Sequence, residues 1–343
     1  MRVVLSSVLL ALLVTACGDA NEPESAPWQA VQRGLPGALL SVWGTSADDV
    51  WAVGAVPAPG ESPTVLHYDG SEWSSLDTGS DTNLWWVYGF EGGPVYFGGE
   101  GGVILRRDAD ADDAAGDFVR MDTPGQGAVF GIWGSSPTDL WAVGGTPGGA
   151  SGAFAWRLEG QRWLEVEGFP GDLAARAALW KVFGRGPSDV WLVGTDGNVL
   201  YWDGATLAAS TTGIMESMFT VHANSERFVT VGGFGTGLIL ENDGSGWQNA
   251  SPPGAPSFIG VCLDETQGYA VGELGAVYAR GDDGWREQAT GIDLELDLLS
   301  LHSVWIDPEG GVWSVGGKIR TPPLTDGVML RRVAEQGHSG AGR

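Results

Sequence analysis

Short runs of alternating apolar and polar residues fill the chain from Trp28 to Val333, with glycine, proline and aspartate between them. Ser41–Gly54, S-V-W-G-T-S-A-D-D-V-W-A-V-G, shows the pattern. An alternating run leads to a polar turn, and a second run closes on Val-Gly. That is the signature of a β-hairpin. It returns at Gly131–Gly144 and at Lys181–Gly194. A hairpin recurring at a near-constant period predicts a repeat architecture, in which each unit buries its apolar face only by stacking on the next.

The same reading gives four short strands, A to D, in each of six repeats. Repeat one places them at 39–43, 50–53, 64–68 and 72–76. Repeat two has them at 84–88, 95–97, 103–106 and 118–121, and repeat three at 129–133, 140–143, 153–158 and 163–166. A small helical turn over 172–178 leads to repeat four, at 179–183, 190–193, 199–202 and around Leu207. Repeat five runs 218–222, 228–231, 238–241 and 247–249; repeat six runs 259–263, 269–271, 277–280 and 285–288. Repeat seven has A, B and C at 301–305, 312–315 and 328–333, and no D.

Two ladders of positions fix this register. An aromatic precedes the strand-B glycine by three residues in Trp51/Gly54, Tyr96/Gly99, Trp141/Gly144, Trp191/Gly194, Tyr269/Gly272 and Trp313/Gly316. These aromatics are expected in the core between neighbouring blades, with the glycines letting blades approach. Strand D opens at Trp73, Phe118 and Trp163, and Trp28 lies one interval of 45 residues before Trp73. Residues 28–31 are therefore a strand D with no A, B or C before it, followed by a Gly-Leu-Pro-Gly turn at 34–37. Pairing 28–31 with 328–333 completes the last repeat. The fold class predicted is all-β, a seven-bladed propeller of four-stranded antiparallel blades.

Residues 1–16 read as a signal peptide, with a basic Met1-Arg2 and an apolar stretch from Val3 to Val14 that is too short to span a bilayer. It ends in Val14-Thr15-Ala16-Cys17, which resembles a bacterial lipobox, although Leu is usual where Val14 stands. The resemblance implies lipidation of Cys17 and an envelope location, with the outer membrane favoured. Residues 17–27 are an acidic tether, 28–336 the propeller, and 337–343 a polar, glycine-rich tail expected to be disordered. Cys262 has no partner once Cys17 is acylated, and its apolar surroundings predict a small buried hydrophobe.

The formal net charge is −25, from 43 acidic and 18 basic residues. Such a surface repels nucleic acid, and it leaves the lipid anchor as the sole contact with a membrane. A monomer is expected.

The S-x-W-G-x-S-x-x-D-V-W-A-V-G hairpins and Y-D-G-x-x-W turns resemble bacterial BNR or Asp-box and YVTN-like propeller repeats. That resemblance implies the fold. It leaves activity open, because the class spans sialidases, assembly factors and surface lipoproteins. The strict Asp-box does not occur; Asp307-Pro308-Glu309-Gly310-Gly311-Val312-Trp313 comes nearest and lacks the leading serine. Four scattered histidines and the turn-like Gly232–Gly237 supply neither a zinc motif nor a phosphate loop. Asp108, Asp110 and Asp112 place alternate carboxylates at one hairpin tip. They are a calcium candidate or a solvated turn, since glycine is missing at Asp113 and Glu at Val119 for an EF-hand.

The expected function is a lipid-anchored binding or scaffolding module for an envelope protein or glycan. No catalytic residue is assigned and no cofactor is expected beyond possible calcium. The alternatives are a polysaccharide-active hydrolase or lyase, which would need converging carboxylates, and an assembly factor for an envelope complex. Long B–C and D–A loops share one face of the ring and place the ligand there.

Overall fold

The structure, a computed structural model, describes residues 28–109, 117–146, 152–174, 177–294 and 298–334. Among these residues the strands form seven separate four-stranded antiparallel sheets. In six of them A, B, C and D follow in chain order, as in blade one with Leu39–Ser46, Asp49–Gly54, Val65–Tyr68 and Trp73–Ser75. Strand A is innermost. The other six are Leu84–Gly89, Ala128–Ser136, Leu179–Gly186, Met218–Ala223, Phe258–Leu263 and Ser300–Ile306, and each packs against its neighbours around a central channel.

The last sheet takes its outer strand from the other end of the chain. Trp28–Gly37 pairs antiparallel with Thr325–Arg332, from Trp28 opposite Arg332 to Gly37 opposite Thr325. Trp28 is buried edge-on to Tyr269 at 6.1 Å, and its indole N–H donates to Gln288 Oε1 at 3.1 Å. Both partners belong to blade six, so Trp28 fastens the seam to two blades at once. The predicted turn at 34–37 is instead the end of this strand. Two register irregularities, the second spanning Gly34 at φ 66°, absorb the extra residues. Pro36 is accommodated because this strand lies at the outer edge, where a missing N–H breaks no ladder bond.

The strand-B aromatics are core, as their spacing predicts: Trp51, Tyr96, Trp141, Trp191, Tyr269 and Trp313 are all buried. The strand-B glycines do a different job from the one expected. A Cβ on Gly54, Gly144, Gly194, Gly232, Gly272 or Gly316 would collide with the carbonyl oxygen of the residue at or just before the start of strand A of the same blade, Ala38, Ala128, Ala178, Ser217, Ser257 or Ser300. Close approach between blades falls to strand-A glycines and to other strand-B glycines, Gly98 against Val129, Gly145 against Ala178 and Gly317 against Ala38. A Cβ on Gly131 would stand 3.1 Å from Lys181 Cα, and one on Gly260 3.1 Å from Ser303 Cα. The ring of Trp43 lies against Gly89, that of Trp133 against Gly184, and that of Trp305 against Gly44.

The Asp-box-like stretch is an architectural clasp. Asp307 is buried, accepting the Gly311 N–H at 2.6 Å and the Trp313 indole N–H at 3.0 Å. A short turn precedes blade four, with the Ala174 N–H donating to Pro170 O and the Ala177 N–H to Leu173 O.

Candidate functional site

Strand A of every blade slips register by one residue at its start. The pairing with strand B skips Leu40, Trp85, Phe130, Trp180, Phe219, Ile259 and His302 in turn. A bulge leaves its extra residue unpaired and re-aims the side chain. The six strand-B glycines above, and Gly99 against Asn83 O in blade two, make room for the chain that leads into these bulges.

Six of the seven bulged side chains line one cavity of about 430 Å³ at the mouth of the channel, together with Phe234 and Ile319. Successive blades hand the aromatic surface on. Trp85 meets Phe130 at 5.3 Å, Phe130 meets Trp180 at 4.8 Å, Trp180 meets Phe219 at 6.0 Å, and Phe219 meets Phe234 at 5.2 Å. Such tilted and edge-to-face contacts hold each ring in place while leaving the belt open on its inner side. Phe234, on the B–C turn of blade five, is 72% exposed at the rim. A second cleft of about 450 Å³ adjoins this vestibule, shares Trp85 and Ile319 with it, and adds Pro57, Pro59, Pro322 and Pro323. Vestibule and cleft both open on the B–C/D–A face.

The polar groups in the vestibule are few. Lys181, the residue after the bulged Trp180, is buried. Its Nζ donates to Phe130 O at 2.8 Å and lies 4.4 Å from the centre of the Trp86 ring. Burial pushes its amine down to about 7. His302 is pushed down to about 3 by burial and then by the Lys181 charge, against a hydrogen bond to Leu40 O. Glu273 at the rim pairs with Arg320 at 3.6 Å. It is the one carboxylate among the described residues lining the vestibule.

Deeper in the channel a second tier of strand-A side chains, including Trp43, Tyr88, Trp133, Phe183, His222 and Trp305, narrows the space to about 140 Å³. There Cys262 is buried 3.7 Å from His222 Nε2. Burial pushes the thiol up to about 12 and the imidazole down to about 4, so both are neutral at pH 7. Cys262 is the small buried hydrophobe that its apolar neighbours predict.

Of the site residues expected from sequence, Cys17, Asp110 and Asp112 lie outside the described residues. Asp108 is described, half-exposed and ion-paired with Arg106. The face that loop lengths point to is the face that carries the vestibule. Its walls, however, come from strand A, where the seven bulged residues look like ordinary strand positions in the sequence. A signal for them exists: Trp85, Phe130 and Trp180 each precede the strand-B glycine of their blade by fourteen residues.

No family model and no curated protein matches the sequence. Solved structures do. The chain is similar to a structure described as YCF48 bound to D1 peptide, with a TM-score of 0.65 and 18% identity over 91% of this chain and 98% of that one. It is similar to YCF48 from Cyanidioschyzon merolae, with a TM-score of 0.63 and 16% identity over 91% and 100% of the two chains. The WD40 repeats of RRP9 match with a TM-score of 0.67 and 12% identity over 90% and 99%. At such identities the likeness is one of fold: a seven-bladed propeller of the kind seen in YCF48 and in WD40 proteins.

Proposed function

We propose that this chain is a protein-binding propeller that serves the assembly or scaffolding of an envelope complex, held at the membrane by a lipidated Cys17. The observation that carries the reading is the aromatic belt of bulged strand-A residues on the B–C/D–A face, continuous with a proline-lined cleft. A rigid ring presents that surface without an ordering cost on its own side. Aromatic side chains supply large contact area and are enriched at protein interfaces. Vestibule and cleft together form an elongated path, which suits an extended polypeptide segment better than a compact ligand. The peptide complex of the similar YCF48 structure supports this reading over a glycan-binding one.

The experiment is co-purification from detergent-solubilised envelope. Wild-type protein is expected to bring down one stoichiometric partner, Phe234→Ser to lose it while melting normally, and Cys17→Ser to leave the membrane fraction. A partner retained by Phe234→Ser, Trp180→Ala and their double variant would refute the assignment of this surface.

A further inference from the structure

Lys181 is the one group in the vestibule that the protein-docking reading leaves unexplained. It is 6% exposed. Its Nζ reaches from blade four to Phe130 O on blade three and to the face of Trp86 on blade two, and its charge is felt by His302 on blade seven. The amine therefore stands on the floor of the cavity, near the axis of the ring. An ammonium has three N–H donors. Among the described residues one is accepted by Phe130 O, the ring faces the charge, and no carboxylate pairs with it. The Trp180 indole N–H, on the preceding residue of the same wall, is also buried without an acceptor among the described residues. Two unmet donors thus belong to adjacent residues beneath an aromatic cavity.

We propose that the vestibule binds an apolar group ending in a carboxylate, with the carboxylate on Lys181 Nζ and the apolar body against Trp85, Phe130, Trp180 and Phe219. The volume, about 430 Å³, lies within the usual range for small-ligand sites, which are apolar with a few polar groups that fix orientation. An aromatic cage without a cation on its floor would favour a quaternary ammonium. Lys181 reverses that preference by repelling a cation at the innermost point. A phosphate, with its second charge, asks for more donors than one amine and one indole.

The surrounding charges agree. His302 faces Lys181 from blade seven and is neutral at pH 7. Glu273 and Arg320 pair at the rim. A carboxylate that passes the rim meets one amine, which is already protonated or takes up its proton as the carboxylate arrives. Its arrival restores the amine toward its ordinary pKa, so binding above pH 7 takes up a proton. Two sources can present this chemistry, a free organic acid and the C-terminus of a polypeptide. The proposal rests on the vestibule being the recognition surface.

The test is isothermal titration of the intact protein with four probes. They are 4-phenylbutyrate, 4-phenylbutyramide, and a tripeptide ending in phenylalanine as its acid and as its amide. Each acid is expected to bind at least tenfold more tightly than its amide, with proton uptake at pH 8 seen as a dependence of the heat on buffer ionisation enthalpy. Lys181→Met, checked for folding by its melt, is expected to reduce that discrimination to less than twofold; Lys181→Arg is expected to restore part of it. The tripeptide acid binding more tightly than phenylbutyrate identifies a polypeptide end as the source, and the reverse order a free acid. Equal affinity of acid and amide, no binding of any probe, discrimination that survives Lys181→Met, or tighter binding of benzyltrimethylammonium would each overturn the proposal. Loss of the partner in Phe234→Ser alongside equal affinity of acid and amide would remove this inference and leave the protein-binding reading standing.

Discussion

Lys181 destabilises the fold that carries it. An unpaired charge taken out of water is penalised, and the amine responds by releasing its proton more readily, down to about 7. The folded value lies below the value of about 10.4 that a lysine has in an unfolded chain. Between those limits the unfolded chain binds more protons, so the stability of the wild type rises as pH rises from about 7 toward 10. Below pH 7 the folded state carries the whole penalty. Lys181→Met is therefore expected to be more stable than wild type at pH 6 by about 1–4 kcal/mol, the scale found when buried ion pairs give way to apolar residues. The gap should close as pH approaches 10, and thermal melts at pH 6 and 9.5 measure it. A gap independent of pH would mean that the amine is not buried in its charged form. Sequence does not mark Lys181: it is one of 18 basic residues, and only the strand-A bulge places it on the channel floor. Asp307 is similarly illegible, because the residues that resemble a family motif form a clasp on Trp313.

At the level of the elements, strand B is legible in the sequence and strand A is not. Strand B is a nearly unbroken apolar run, buried at successive positions on both faces, so composition and repeat spacing assign its aromatics to the core. Strand A begins with a bulge in all seven blades, and a bulge shifts every later side chain to the other face of the sheet. Simple period-two alternation cannot follow that shift, and this is why it leaves the vestibule residues unassigned. The glycine opposite each bulge should be intolerant of any side chain. Gly144→Ala would drive a Cβ into the Ala128 carbonyl oxygen and the ring of Phe154, both fixed by neighbouring strands. Overpacking of this kind costs about 1–3 kcal/mol. Gly160→Ala, at a turn with φ 66° and nothing nearby, should lose about 1–2 kcal/mol through the left-handed backbone alone and leave the packing untouched. The vestibule should register the first change and not the second, as a shift in Phe130 fluorine resonance after 4-fluorophenylalanine labelling. Equal resonance shifts from both changes would contradict the packing role.

For the whole molecule, the interval of 45 residues leading back to Trp28 makes ring closure legible in the sequence. The extent of the closing strand is not legible there. The strand runs to Gly37 because two irregularities carry Gly34 and Pro36 through a stretch that composition marks as a turn. Removing residues 18–34 should expose strand C of blade seven and delete a buried tryptophan. That residue alone is worth about 3–5 kcal/mol, against ~5–15 kcal/mol for a typical domain. The truncated chain is expected to aggregate or melt far below wild type, whereas removing 18–26 should leave the melt unchanged. Equal melts for the two truncations would show that the seam does not hold the ring. Closure matters for function because the vestibule draws side chains from blades two through seven, and a ring that opens loses the whole of it.

Recognition on the B–C/D–A face is tested most directly by site-specific photo-crosslinking in cells. The crosslinker is placed at Phe234 on the vestibule rim or at Ser245 on the C–D turn of the same blade, which faces the other way. A single discrete adduct from position 234 and none from position 245 is the result expected. An adduct from position 245 with none from 234 would contradict the assignment of the binding face.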